Sequence, residues 1–106
     1  MKKVTFYIGL NDKNSKLQQI DSVEAYKIVN NFVLKFFGFG TISHATGVYT
    51  HENGEIVTEN TLRVEVLNTG IENFDDKVKE FCKFCKIALN QESIAVQYQM
   101  IASELI

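Results

Sequence analysis

With 106 residues, 45% of them apolar and 23% charged, the chain has room for one domain with a real core and too little for two. Its formal net charge of −2 lacks the cationic excess on which phosphate-backbone affinity rests, so DNA and RNA are disfavoured as partners. No apolar stretch approaches the roughly 20 residues that span a bilayer, and a soluble, cytoplasmic protein with no membrane partner is expected.

Two lysines precede an apolar run at the start, as in a signal peptide, but the run soon meets Asn11-Asp12-Lys13 with no small-residue cleavage site. A first strand fits better. Val4, Phe6, Ile8 and Leu10 alternate with Thr5, Tyr7 and Gly9, which places one side in a core and leaves the other less apolar. The polar stretch from Asn11 to Gln19 reads as a loop. Asp21-Ser22-Val23-Glu24 has the form of a helix N-cap, and Ala25, Ile28, Val29, Phe32, Val33, Phe36 and Phe37 follow at helical spacing, with Gly38 and Gly40 as the stop.

Thr41 to His51 and Glu55 to Leu67 are rich in β-branched residues and flank Asn53-Gly54, the dipeptide suited to a tight two-residue hairpin. Glu59-Asn60 interrupts the second arm and reads as a bulge, after which Leu62, Val64 and Val66 point inward and Thr61, Arg63 and Glu65 outward. The register of the first arm stays open, because a slip of one residue exchanges Tyr49 with Val48. Asn73 is expected to cap a second helix reaching about Leu89, with Phe74, Val78, Phe81, Cys85 and Ala88 as its stripe. A last strand from Ser93 to about Ile101 alternates Ile94, Val96, Tyr98 and Met100 with Ala95, Gln97 and Gln99.

The order β-α-β-β-α-β is the split βαβ, or ferredoxin-like, arrangement of a single α+β domain over residues 1–106: a four-stranded antiparallel sheet with two helices on one face. One sheet face is then left open. The side chains expected on it, Tyr7, Tyr49, Arg63, Glu65, Gln97 and Gln99, form the candidate binding surface. Arg63 is the sole arginine in a lysine-rich chain, and its planar fork can hold a carboxylate or phosphate in two bonds. A neighbouring carboxylate could equally occupy it. RNA-recognition domains share this topology and stack bases on aromatics of the first and third strands; Tyr7 meets the first requirement, whereas Arg63 and Glu65 stand where the other aromatics belong.

Three constellations are weaker. Cys82-Lys83-Phe84-Cys85 lies mid-helix, away from the helix N-terminus that activates a redox pair, and His44 and His51 do not complete tetrahedral zinc with it. Reduced, packed cysteines are expected. Neither histidine has an inferable Ser-His-Asp or Cys-His setting, and Asp12 lacks the converging acids and cationic track of a metal nuclease. No catalytic residue, metal or cofactor is therefore assigned, and the balance leans away from an enzyme.

The run Gly47 to Leu62, GVYTHENGEIVTENTL, together with the opening Phe6 to Lys13, FYIGLNDK, resembles small uncharacterised proteins of phages and mobile elements in low-GC Gram-positive bacteria. That resemblance implies an accessory role by binding, for example inhibition of a host defence protein as anti-CRISPR proteins do. The leading expectation is thus a non-enzymatic binding protein acting through the open sheet face or a strand edge, on a protein partner or as a homodimer. The alternative is a dimeric α+β barrel, in which two facing sheets enclose a small ligand as a binder, sponge or enzyme, with Tyr7, His44, Arg63 and Gln97 as lining.

Overall fold

The computed structural model describes the whole chain, Met1–Ile106. Six elements follow in the expected order: β1 (Lys2–Gly9), α1 (Ser22–Phe36), β2 (Thr41–Thr50), β3 (Ile56–Asn68), α2 (Phe74–Ala88) and β4 (Ala95–Met100). The strands form one antiparallel sheet in the order β2-β3-β1-β4. Register explains the division of its faces. Val4, Phe6 and Ile8 lie opposite Val66, Val64 and Leu62, and all six are fully buried beneath the helices.

Each helix brings one stripe to that core. Ala25, Val29 and Val33 come from α1, and Phe74, Val78, Phe81 and Cys85 from α2. Phe6 packs on Phe81 with ring centroids 4.6 Å apart, and Phe37 touches Phe6, Phe74 and Phe81. These tilted aromatic contacts concentrate buried area in a small interior. No helix is long and apolar enough to cross a membrane.

The Asp21 carboxylate accepts the Val23 N–H and starts α1, and Gly38, at φ 82°, receives its last turn by donating to Val33 and Leu34 carbonyls. Three local expectations are corrected. The hairpin closes through Glu52-Asn53-Gly54 rather than a two-residue turn: Gly54 N–H donates to the His51 carbonyl, His51 N–H donates to Glu55, and only Gly54 takes positive φ, the three-residue form with a left-handed glycine. Glu59-Asn60 is no bulge, since pairing runs unbroken from Thr41↔Glu65 to Thr50↔Ile56. Asn73 adopts a left-handed backbone and makes no side-chain cap for α2; Asn68 instead accepts the Gly70 and Ile71 N–H groups and shapes that turn.

Candidate functional site

The same register settles the open face. Tyr7 pairs with Arg63 and Ala95, Thr5 with Glu65 and Gln97, Lys3 with Gln99, and Ser43 with Arg63. Tyr49, opposite Val57, shares the odd-numbered face of β2 with Ser43, Ala45 and Gly47. All six residues expected on the outward face therefore project from it. They fall into two groups.

At one end, Arg63 Nε donates to Ser43 Oγ at 3.2 Å and lies 3.4 Å from Glu65 Oε1, while Lys3 Nζ is 3.8 Å from Glu65 Oε2. Gln97 and Gln99 stand beside this chain of polar groups on the neighbouring strand. The arginine Nε is thus engaged within its own sheet, in an exposed network of modest worth.

At the other end, Tyr7 and Tyr49 line a hollow of about 570 Å³, within the usual size of a small-molecule site. Its floor is made by residues that leave space: Gly9 on β1, Ala45 and Gly47 on β2, and Ala95 on β4. Glu59 on β3 lies among them. Its Oε2 accepts the Asn11 backbone N–H at 3.0 Å, and its Oε1 lies over Gly9, where a Cβ would collide with the carboxylate. Gly47 is equally confined, since a Cβ there would come within 2.9 Å of Thr61 Oγ1. A carboxylate is thereby held in the hollow that the two tyrosines also line. His51 stands edge-on to Tyr49, with centroids 5.3 Å apart, at the outer margin.

Two loops joined to each other form the rim. Asp12 Oδ1 accepts from Asn90 Nδ2 at 2.6 Å, Lys13 N–H donates to the Asn90 carbonyl at 3.0 Å, and Gln91 Nε2 donates to the Asn11 carbonyl at 2.8 Å. Asp12 Oδ2 also accepts the Asn14 and Ser15 N–H groups. These bonds, the Asn90 amide foremost, hold the Asp12 carboxyl below its ordinary range. Asp12 is a turn residue that ties the loop after β1 to the loop after α2.

The remaining candidates lie elsewhere. His44 is on the helix-covered side of β2, stacked on Tyr26 of α1 at 6.1 Å, so it does not line the hollow. Cys85 is buried in α2 and Cys82 half-buried beside it. Burial pushes the Cys85 thiol up to about 12, with Cys82 adding to the shift, and raises Cys82 against the opposing pull of Lys86. Both thiols are poor nucleophiles. No group of three or more His, Cys, Asp or Glu side chains is arranged to hold a metal ion.

Sequence reasoning did not single out Glu59, Gly9, Ala45, Gly47 or Ala95. A signal was present. Outward positions on three strands, Gly9 on β1, Ala45 and Gly47 on β2 and Ala95 on β4, are Gly or Ala, an unusual saving of volume on a face otherwise carrying Tyr, Arg and Gln.

Sheet order, helix placement and hollow together define a ferredoxin-like α+β protein with a candidate small-molecule site. No protein-family model and no curated protein matches the chain. Among solved structures, it is similar to a phage SAM lyase in the apo state, at 25% identity over 92% of this chain and 78% of the lyase, with a TM-score of 0.67. The phage SAM lyase in complex with S-methyl-5'-thioadenosine matches at 24% identity over 92% and 79%, with a TM-score of 0.68. The periplasmic divalent cation tolerance protein CutA from Archaeoglobus fulgidus shares the fold at 15% identity, over 99% and 88%, with a TM-score of 0.61.

Proposed function

We propose that this chain is a small-molecule enzyme of the SAM lyase kind, which takes S-adenosylmethionine into the hollow and breaks the bond between its sulfonium and its amino-acid chain. The observation that carries the reading is the Glu59 carboxylate, which accepts the Asn11 N–H and lies over Gly9 in the hollow that Tyr7 and Tyr49 line. A sulfonium is a cation without N–H donors, and what binds it is negative charge and aromatic faces. The likeness to a phage SAM lyase at 25% identity supports the same reading.

The chemistry balances without a further reactant. When the C–S bond breaks, its electron pair returns to sulfur, the positive charge is discharged, and S-methyl-5'-thioadenosine leaves as a neutral thioether. The four-carbon fragment completes its valence by ring closure onto its own carboxylate, or by giving a β-proton to a base. Glu59 is the carboxylate placed to hold the cationic substrate in the first case and to take the proton in the second. Tyr7 and Tyr49 flank the charge, and Lys13 on the rim suits the substrate carboxylate.

The test is incubation of the purified protein with S-adenosylmethionine, with thioadenosine product followed by chromatography and binding by calorimetry. Turnover bears the proposal out. Saturable binding without product replaces it with the binder or sponge expected as the alternative, and absence of both overturns it. Inhibition of a host defence protein falls behind, because Arg63 and Glu65, the charges such a contact would use, are bound to each other and to Ser43 and Lys3.

A further inference from the structure

The tip of the β2–β3 hairpin carries a chemistry that the hollow does not use. Of the asparagines in the chain only Asn53 precedes a glycine, and Asn53 and Gly54 are both exposed. The amide nitrogen after an asparagine can attack that asparagine's side-chain carbonyl carbon, and glycine is the residue that shields it least. At Gly54, with φ 83°, even a Cβ would meet no neighbouring atom.

The turn also arranges the electrophile. Asn53 Oδ1 accepts the Glu55 N–H at 2.9 Å, which curls the side chain back and closes a ring of atoms containing the Gly54 nitrogen. The same bond polarises the carbonyl and steadies the oxyanion that forms on attack. One restraint opposes the step: Gly54 N–H donates to the His51 carbonyl at 2.9 Å. It lies at the end of a two-stranded ribbon whose Val48, Tyr49 and Ile56 are uncovered, where local opening costs little. Other asparagines are held more firmly. The Ser15 N–H that follows Asn14 is bonded to the Asp12 carboxylate at 3.0 Å, and Asn30 and Asn31 lie inside α1.

We propose that Asn53-Gly54 is a self-modification site, at which water converts the asparagine to isoaspartate and aspartate. The Gly54 nitrogen, having given its proton to hydroxide, bonds to Asn53 Cγ; the Cγ–Nδ2 bond breaks and Nδ2 leaves as ammonia, which closes a five-membered imide. Water then opens the ring. Cleavage between Cγ and the nitrogen gives aspartate, and cleavage between the main-chain carbonyl carbon and the nitrogen gives isoaspartate, with the chain rerouted through Cγ. The net change is one water consumed and one ammonia released, with no electron transferred.

The product alters its surroundings. A new carboxylate arises between Glu52 and Glu55, where like charges repel, and isoaspartate adds a main-chain carbon to a turn closed by the His51–Glu55 pair. His51 stands against Tyr49 on the margin of the hollow, so ageing of the tip reaches that margin. The inference does not depend on the ligand proposed for the hollow.

The test is storage of the purified protein at neutral and at mildly alkaline pH, followed by peptide mapping with mass spectrometry. The peptide bearing Asn53 is expected to gain about 1 Da and to split into two chromatographic forms, ahead of every other asparagine and faster in alkali. Asn53→Gln should abolish the change, and Gly54→Ala should slow it about tenfold or more, since a Cβ crowds the attacking nitrogen. Circular dichroism checks that both variants fold, and the wild-type chain in denaturant supplies a reference rate. Conversion at another asparagine first, an undiminished rate in Gly54→Ala, aspartate as the only product, or a folded rate more than about a hundredfold below the denatured one overturns the proposal.

Discussion

The Glu59 carboxylate occupies the space in which a side chain at Gly9 would stand. Gly9 lies in β1 and its backbone does not take positive φ, so alanine is tolerated there by the chain and resisted only by Glu59, whose flexible end can swing away. Gly9→Ala should keep the melting temperature within a few degrees while lowering affinity for S-adenosylmethionine about tenfold, or about 1.4 kcal/mol. Calorimetry and thermal denaturation on the same sample check both halves.

Glu59→Gln separates charge from shape. The amide oxygen can still accept the Asn11 N–H, and the volume is unchanged. Affinity for the sulfonium substrate should fall about tenfold or more, whereas affinity for the neutral thioether product should stay within about twofold, since only the charge–charge attraction is lost. Equal losses for the two ligands would assign Glu59 a steric role.

Asp12 links the two rim loops and its carboxyl is held below the usual range, chiefly by the Asn90 amide. A group depressed in the folded state adds stability above its unfolded pKa, and that contribution is lost as pH falls through the folded value. The melting temperatures of wild type and Asp12→Ala should therefore differ at neutral pH and converge as the pH drops below about 3.8, the ordinary value. A gap that persists unchanged at acid pH would show that the ion is not what the clamp uses.

Cys85 gives the opposite dependence. Its thiol is pushed up to about 12 by burial, so the contribution it makes is present below the ordinary value of 9.0 and is lost as pH rises toward the folded one. At pH 8 a thiol reagent should reach half-buried Cys82 slowly and Cys85 only at the rate of unfolding. Labelling of Cys85 in the folded protein, read by mass spectrometry of its peptide, would contradict this.

Phe81 is fully buried against Phe6 and Phe37. Phe81→Ala should cost about 3–5 kcal/mol, a large share of the roughly 5–15 kcal/mol that holds a domain together. Any fraction still folded should bind ligand with near-normal affinity, because Phe81 is on the far side of the sheet from the hollow. Denaturant titration with and without ligand measures both.

The architecture was legible because its periodicities are strong. Val4-Phe6-Ile8 against Thr5-Tyr7-Gly9 has one reading as a strand, and the stripes of α1 and α2 have one reading as helices. β2 was ambiguous for a physical reason: its distal half pairs only with β3 and is covered on neither face, so Val48 and Tyr49 are both exposed and burial imposes no alternation. The hollow was harder still. It is defined by side chains that are missing, at Gly9, Ala45, Gly47 and Ala95, and the expected bulge at Glu59-Asn60 took Glu59 out of register with them. Tyr7 and Tyr49 were found because aromatic residues on an outward face stand out; Arg63 stood out equally, and its partners Ser43 and Glu65 became visible only with the pairing.

Because successive residues of each strand serve opposite sides of the sheet, Val4, Phe6 and Ile8 of β1 build the interior while Tyr7 and Gly9 between and beyond them build the hollow. Inserting or deleting one residue inside a strand would exchange these duties and ruin both together. Changes in length can therefore accumulate only in the connections, and two of these, residues 11–19 and 89–94, frame the hollow's mouth. Drift in chain length among descendants of this protein would reshape what enters long before it disturbed how the chain folds.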